Sequence, residues 1–398
     1  MGTDLPSVRS ALFLPASNPR AIARARQSGV DFVILDLEDA VKPADKLAAR
    51  TAAVEAVAEP WAMPVAIRVN AYGSEWHEAD VAAVASSNAQ FAILPRTASA
   101  EQARAARVSL GKPLLAMIET AGAVLNVHEI AHEVSGLIAG TNDLSSDLRL
   151  PADAGRAPLQ TALQSIVLAG RAHDLLILDG VFNRLDDPDG FAAEAAESRC
   201  LGFDGKSLIH PNQIEPCHRA FAPSAEEIDR ARRLVAAATG GAERFDGAMI
   251  ETAGAVLNVH EIAHEVSGLI AGTNDLSADL RLPADAGRGP LQTALQSIVL
   301  AGRAHDLLIL DGVFNRLDDP DGFAAEAAES RRLGFDGKSL IHPDQIAPCH
   351  RAFAPSAAEI DRARRLVAAA TGGAERFDGA MIERMHVETA RRLLDRAG

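Results

Sequence analysis

The chain has 398 residues, of which 48% are hydrophobic, and a formal charge of −15 with no Lys/Arg-rich run. It can therefore bury a core, and its charge would repel a phosphate backbone, which excludes nucleic acid as a partner. No run approaches the roughly 18 apolar residues of a membrane span, the start lacks a signal-peptide pattern, and Cys200, Cys217 and Cys349 show no CxxC spacing, so a reduced, soluble, cytoplasmic protein is expected.

In chain order, short apolar and β-branched runs alternate with alanine-rich stretches. The predicted strands are Ala11 to Pro15, Phe32 to Leu37, Val65 to Val69, Phe91 to Leu94, Leu114 to Ile118, Gly136 to Ala139, Leu175 to Leu178 and Lys206 to Ile209. Between them, Asn18 to Ser28, Ala44 to Ala58, Glu101 to Ser109, Leu159 to Ala172 and Gly190 to Leu201 are long enough for one crossover helix each. Strict alternation of strand and helix predicts an α/β fold, a TIM (β/α)8 barrel.

From Met117 the sequence repeats. Residues 117–248 recur as 249–380, 132 positions on, with differences only at Ser146/Ala278, Ala157/Gly289, Cys200/Arg332, Asn212/Asp344, Glu215/Ala347 and Glu226/Ala358. Ala-Met-Ile-Glu stands at both ends of each copy, at Ala116, Ala248 and Ala380, and recombination through that string would produce the chain. The second copy supplies strands five to eight again, a half-barrel with two open edges and an uncovered apolar face. The expected organisation is a complete barrel in 1–248, a surplus half-barrel in 249–380 and a C-terminal helix in 381–398. The surplus half is expected to stay loose, to swap into another chain or to pair with its equivalent in a dimer.

Active sites of this fold form at the C-terminal ends of the strands. Those ends carry Asp36, Glu38 and Asp39, then Arg68, Glu119, and Asn142 with Asp143. Carboxylates from neighbouring strands suit Mg2+, which takes oxygen ligands and keeps several waters, and a guanidinium beside them can grip a carboxylate in bidentate fashion. Capping is the plainer reading: Asp36, Glu38 and Asp39 could cap the next helix, and Asp143 could be an N-cap.

The motifs around Arg9-Ser10, Leu35-Asp36-Leu37-Glu38-Asp39, Ile67-Arg68-Val69-Asn70, Ile118-Glu119-Thr120, Gly140-Thr141-Asn142-Asp143 and Gly205-Lys206-Ser207 through His210, in this order, resemble the HpcH/HpaI aldolase and citrate lyase beta-subunit family of CoA ester lyases. The resemblance implies a Mg2+-dependent lyase that cleaves or forms the C–C bond between an acyl-thioester enolate and a 2-oxo acid, in substrates of the malyl-CoA, citramalyl-CoA or citryl-thioester type. It implies Glu119 and Asp143 as metal ligands, Arg68 on the oxo-acid carboxylate, the Asp36 to Asp39 cluster on the metal and thioester side, Arg9 among the substrate-binding residues, and Lys46 and Arg50 near the CoA phosphates. It also implies a homo-oligomer, often a trimer, in which a C-terminal lid acid reaches a neighbouring site. That acid is Glu383 here, where the family pattern has Asp, and the repeat displaces it from the barrel, so reduced activity is expected. Glu251 has two possible identities, as lid acid of the first barrel or as metal ligand of the second copy with Asp275; this second site lacks its own Arg68 and Asp36 and is expected to be incomplete.

Three other readings stand beside this one. His128-Glu129-Ile130-Ala131-His132, repeated at His260 to His264, matches the HExxH zinc signature, but both histidines fall to the side of the buried stripe of a helix over Val124 to Val134, and no third ligand follows at a suitable distance. A CoA-independent 2-oxo-acid aldolase and a non-catalytic, oligomerising or misfolding duplication product are the remaining alternatives.

Overall fold

The computed structural model describes residues 8–223, 247–369, 375–377, 380–382 and 384–397. Eight parallel strands close a barrel: β1 (Ser10–Pro15), β2 (Phe32–Asp36), β3 (Val65–Arg68), β4 (Phe91–Leu94), β5 (Leu114–Ile118), β6 (Gly136–Ala139), β7 (Leu176–Asp179) and β8 (Gly205–Leu208). Closure comes from β1 against β8, with Ser10 opposite Lys206 and Leu12 opposite Leu208. All eight predicted strands are present, with ends shifted by at most one residue.

The strands read as unbroken apolar runs because both faces are buried. Side chains alternate between two cores. Phe32, Ile34, Ile93, Leu115, Met117 and Leu178 fill the barrel interior, whereas Val33, Leu35, Ile67, Leu94 and Leu137 face the helices. The helical layer comprises α1 (Pro19–Ala25), α2 (Lys46–Ala58), α3 (His77–Ala85), α4 (Ala100–Leu110), α5 (Ala121–Leu125), α6 (Val127–Ala131), α7 (Thr141–Asp147), α8 (Gln160–Ala172), α9 (Pro188–Leu201) and α10 (Ile214–Phe221). Local chemistry sets several ends. Ser99 caps α4 by accepting from the Gln102 N–H, and Gly111, at φ +62, ends it in the left-handed conformation that glycine adopts without strain. The single helix expected over Val124 to Val134 is instead broken at Asn126 into α5 and α6.

The second copy forms a separate parallel sheet of β9 (Ala248–Ile250), β10 (Gly268–Ala271), β11 (Leu308–Asp311) and β12 (Gly337–Lys338), in the order β12-β11-β10-β9. Its outer strands are shorter than their counterparts β5 and β8, because among the described residues no strand stands where β4 and β1 stand in the barrel. The face that would line a barrel is partly bare: Met249 is 51% and Leu308 49% exposed, against 7% for Met117 and Leu176.

The half-barrel is nevertheless docked. Gln164 of α8 donates to the Gly289 carbonyl and accepts from the Thr293 N–H, Arg281 pairs with Asp174 at 2.6 Å, and the outer core runs on through Ile250, Val256, Leu280 and Leu295. A loose surplus half is thus not what forms. The chain then continues in the helix Ala357–Ala369, an antiparallel pair of β13 (Glu375–Phe377) and β14 (Ala380–Ile382), and the helix Arg384–Ala397, whose Ala390 packs on Ala363, Leu366 and Phe377. Among the described residues, no helix is long and apolar enough to cross a membrane.

Candidate active site

A cavity of about 320 Å³ opens at the C-terminal ends of the barrel strands, where Asp36, Asp39, Arg68, Glu119 and Asp143 converge. With Asn142, which also lines it, six of the seven strand-end residues singled out by sequence therefore meet in one place. Arg68, the last residue of β3, sits at its base: Nε donates to Asp36 Oδ1 at 2.6 Å and Nη2 to Oδ2 at 2.7 Å. Asp36 is fully buried and also accepts from the Glu38 and Ala40 N–H groups. It braces the turn after β2 rather than capping the next helix, whose N-cap residue is Asp45, and at the same time it locks the guanidinium.

Glu38 lies beside the same cation, with Oε2 at 2.9 Å from Arg68 Nη1 but out of hydrogen-bonding geometry, so that oxygen has no hydrogen-bond partner. Burial pushes the Glu38 carboxyl up to about 8, although Arg68 pulls the other way. It is thus mostly protonated at neutral pH. The Arg68 pKa is raised, because Asp36 and Glu38 outweigh the burial that opposes its charge.

Glu119, at the end of β5, is only 2% exposed. Burial pushes its carboxyl up to about 7, opposed chiefly by the hydrogen bond from the Arg96 N–H to Oε1 at 2.5 Å. Gly140 makes room for it: a Cβ there would stand 2.3 Å from Glu119 Cβ and 2.6 Å from Oε2. Asp143 lies in the first turn of α7, whose N-cap is Gly140, and makes no capping hydrogen bond. Its carboxylate is partly exposed, 3.7 Å from Arg96 Nη2. Glu119 and Asp143 thus offer hard oxygen donors uncommitted to another side chain at hydrogen-bond distance, a set that fits Mg2+.

Arg96 was not among the predicted residues. It follows β4, has φ +49, and turns its N–H onto Glu119, which is backbone strain placed next to the ligand set. The rule that found the other residues, reading each strand's C-terminal end, would have found Pro95-Arg96 had it been applied to the fourth strand.

Three predicted substrate contacts lie elsewhere. Lys46 is buried, and its ammonium donates to the Leu37 and Glu38 carbonyls and to Asn70 Oδ1 at 2.6–2.7 Å, which spends two of its hydrogens on the loop after β2 and the third on the loop after β3. Arg50 pairs with the buried Asp80 at 2.6 Å and leans on the Trp76 carbonyl. Lys46 therefore has no hydrogen left for a phosphate, and Arg50 has its Nε committed to Asp80. Arg9 precedes β1 at the N-terminal face of the barrel, where it clamps Asp31 through Nε and Nη2 at 3.1 Å. The opposite face holds the cavity.

Lys206 belongs to the wall rather than the site. Fully buried, it pairs with Asp179 at 2.7 Å and Glu194 at 2.8 Å, and Arg156 joins Asp179 at 3.2 Å. Burial would raise the Asp179 carboxyl, but Lys206 and Arg156 outweigh it and hold it at about 2. The second copy repeats the cluster with Lys338, Asp311 and Arg288.

Glu251 follows β9 and shares a smaller cavity, about 180 Å³, with Asp275. Burial and the Asp275 carboxyl raise its pKa. No residue standing for Arg68 or Asp36 lines that cavity. Glu383 lies outside the described residues.

The family model for HpcH/HpaI aldolase/citrate lyase matches residues 9–211 and again 224–343. A (3S)-malyl-CoA thioesterase of Cereibacter sphaeroides is 40% identical over 257 residues, covering 63% of this chain and 90% of the relative. The citrate lyase subunit beta of Escherichia coli is 32% identical over 283 residues, covering 64% and 94%. Among solved structures, CitE of Mycobacterium tuberculosis in complex with magnesium, acetoacetate and coenzyme A superposes with a TM-score of 0.53 at 32% identity, covering 61% of this chain and 91% of that one. Because the match takes in the whole barrel and then resumes through most of the repeat, the chain belongs to the HpcH/HpaI aldolase/citrate lyase family.

Proposed function

We propose that residues 1–248 form a Mg2+-dependent C–C lyase that cleaves, or in reverse forms, a 3-hydroxyacyl-CoA of the malyl-CoA or citramalyl-CoA type, giving an acetyl thioester and a 2-oxo acid. The observation that carries this reading is the meeting of Glu119 and Asp143 with the Asp36-locked Arg68 in one cavity. The solved relative holds magnesium and coenzyme A, the metal and the thioester carrier that this reaction uses, together with an oxo acid, acetoacetate. With Lys46 and Arg50 spent on the fold, the preference for a CoA ester over a free 2-oxo-acid aldol rests on the relatives alone.

In cleavage, the hydroxyl proton leaves, its C–O becomes C=O, the adjacent C–C bond breaks, and the electron pair moves to the thioester α-carbon, which is then protonated. Arg68 has Nε and one Nη2 hydrogen committed to Asp36, and its Nη1 donates to Met117 Sδ beside Glu38, so the second hydrogens of Nη1 and Nη2 are what it can offer to the carboxylate of the oxo acid. Glu38, buried and protonated, stands where it can donate or take back a proton beside that carboxylate. Mg2+ held by Glu119 and Asp143 supplies positive charge where negative charge develops on oxygen. The lid acid Glu383 is assigned to the enolate proton, reaching a neighbouring subunit of a homo-oligomer, and its displacement by residues 249–380 reduces turnover.

Thioester hydrolysis is a second reading, favoured by the 40% identity to a malyl-CoA thioesterase. Incubation with (3S)-malyl-CoA and Mg2+ separates the two. Acetyl-CoA with glyoxylate establishes the lyase; free CoA with malate establishes the thioesterase; neither product here, and no acetyl-CoA with pyruvate from citramalyl-CoA, rejects both.

A further inference from the structure

We propose that His128, His132 and His173 form a binding site for a divalent transition metal of the zinc class, at the N-terminal face of the barrel and apart from the cavity of Glu119 and Asp143. The first two histidines are four residues apart at the end of α6, hence on one helical face. The third is the C-cap of α8, just before β7, and α8 packs against α6. The missing third ligand of the HExxH motif is therefore supplied from 41 positions beyond His132, by packing rather than by spacing.

One ring nitrogen from each histidine lies within 4.8 Å of the other two. The ring centroids are 4.1 Å apart for His132 and His173, 5.2 Å for His128 and His132, and 5.5 Å for His128 and His173. Both His128 Nδ1 and His173 Nε2 are buried with no hydrogen-bond partner, a cost that a ligated ion would remove.

The donor set selects the ion. Three imidazoles and no carboxylate suit Zn2+, Co2+, Ni2+ or Cu2+ and not Mg2+. Of the acids next in sequence to the three histidines, Glu133 is held by Arg104 at 2.7 Å and Arg107 at 2.9 Å, Asp174 pairs with Arg281 at 2.6 Å, and Glu129 is exposed, so water completes the shell. Ligation at about 2.0–2.1 Å would draw the nitrogens to roughly 3.3 Å from one another. His132, being exposed, is free to turn inward. The bound ion would tie α6 to the turn between α8 and β7, a structural role, since Glu129 is exposed rather than aimed at the site.

The repeat supplies an internal control. His264 and His305 lie 4.0 Å apart by ring centroid, but His260 is exposed, and among the described residues only the first copy gathers all three rings.

The test uses the untagged full-length chain, stripped with a chelator and saturated with Mg2+ so that the oxygen site is occupied. Zn2+ is titrated by calorimetry, Co2+ by its visible absorption, and the melting temperature is followed with each. The expected result is one high-affinity Zn2+ per chain, nitrogen-type Co2+ bands and a raised melting temperature. His132→Ala, at an exposed position, and His173→Ala should each weaken Zn2+ by more than the roughly 10- to 100-fold typical of losing an outer-sphere partner, while His305→Ala leaves it unchanged. Unaltered affinity in His132→Ala overturns the proposal, and so does Zn2+ binding that is lost in Glu119→Gln instead.

Discussion

Arg68 meets Asp36 through two parallel hydrogen bonds, of 2.6 and 2.7 Å, with both side chains buried. Because that pair fixes the plane of the guanidinium, it also decides which edge a substrate carboxylate can reach. Lysine carries the same charge but cannot span both oxygens of Asp36 and still offer hydrogens to a ligand. Arg68→Lys should therefore weaken inhibition by a 2-oxo acid such as pyruvate at least about tenfold, the equivalent of ~1.4 kcal/mol. An unchanged inhibition constant would remove Arg68 from carboxylate binding.

Replacing the other partner tests stability more than binding. Asp36→Asn leaves a buried cation facing an amide, and removing one member of a buried pair costs about 3–5 kcal/mol. Denaturant unfolding of the variant should show a lower midpoint with unchanged slope. A midpoint equal to that of the parent would mean that Glu38 alone satisfies Arg68.

The Glu119 carboxyl, held at about 7, must lose its proton before it can bind a cation. Below that pH the carboxyl is protonated and Mg2+ competes with the proton. Apparent Mg2+ affinity should then fall about tenfold per unit as pH drops below 7, and level off above it. Titrating Mg2+ at pH 6 and pH 8 in buffers of different ionisation heat reads both the affinity and the proton released on binding. An affinity that does not vary between them would mean Glu119 is already ionised or is not a ligand.

Gly140 offers a steric handle on the same site. Its φ of −97 suits any residue, so an added methyl acts only through its contact with Glu119, whose Cβ would lie 2.3 Å away. Gly140→Ala should displace the Glu119 side chain and raise the Mg2+ requirement severalfold, with overpacking costing about 1–3 kcal/mol of stability. Full activity at the parent's Mg2+ concentration would show that the cavity absorbs the methyl without moving Glu119.

Much of this arrangement was legible in the sequence, and what was missed has physical causes. Strand positions followed from apolar runs buried on both faces, and the cavity residues followed from their places at strand ends. Lys46 and Arg50 misled because charge on a helix says nothing about what the neighbouring loop demands; Leu37, Glu38, Asn70 and Asp80 consume them. His173 joined His128 and His132 through contact between two helices, which motif spacing does not encode. Identical strings also took different roles by context: Ala-Met-Ile is central in β5, an edge in β9, and half of an antiparallel pair in β14.

The repeat leads to the last prediction. Among the described residues of 249–380 none enters the barrel's interior core, so a 266-residue chain lacking 249–380 should keep the barrel closed. That deletion returns Met381-Ile382-Glu383 to the position directly after Ala248, and it removes the half-exposed Met249 and Leu308. It also bares part of α8 where Gln164 now binds Gly289 and Thr293, but α8 has the same sequence as Gln292–Ala304, whose corresponding face carries no third copy. The short chain should therefore unfold in one cooperative transition, aggregate less, and cleave malyl-CoA faster than the full chain, because the acid and its following helix are again joined to the barrel they serve. Equal rates for the two chains would show that the lid reaches its site despite the insertion. A short chain that fails to fold would mean instead that the second sheet has become part of the barrel's support.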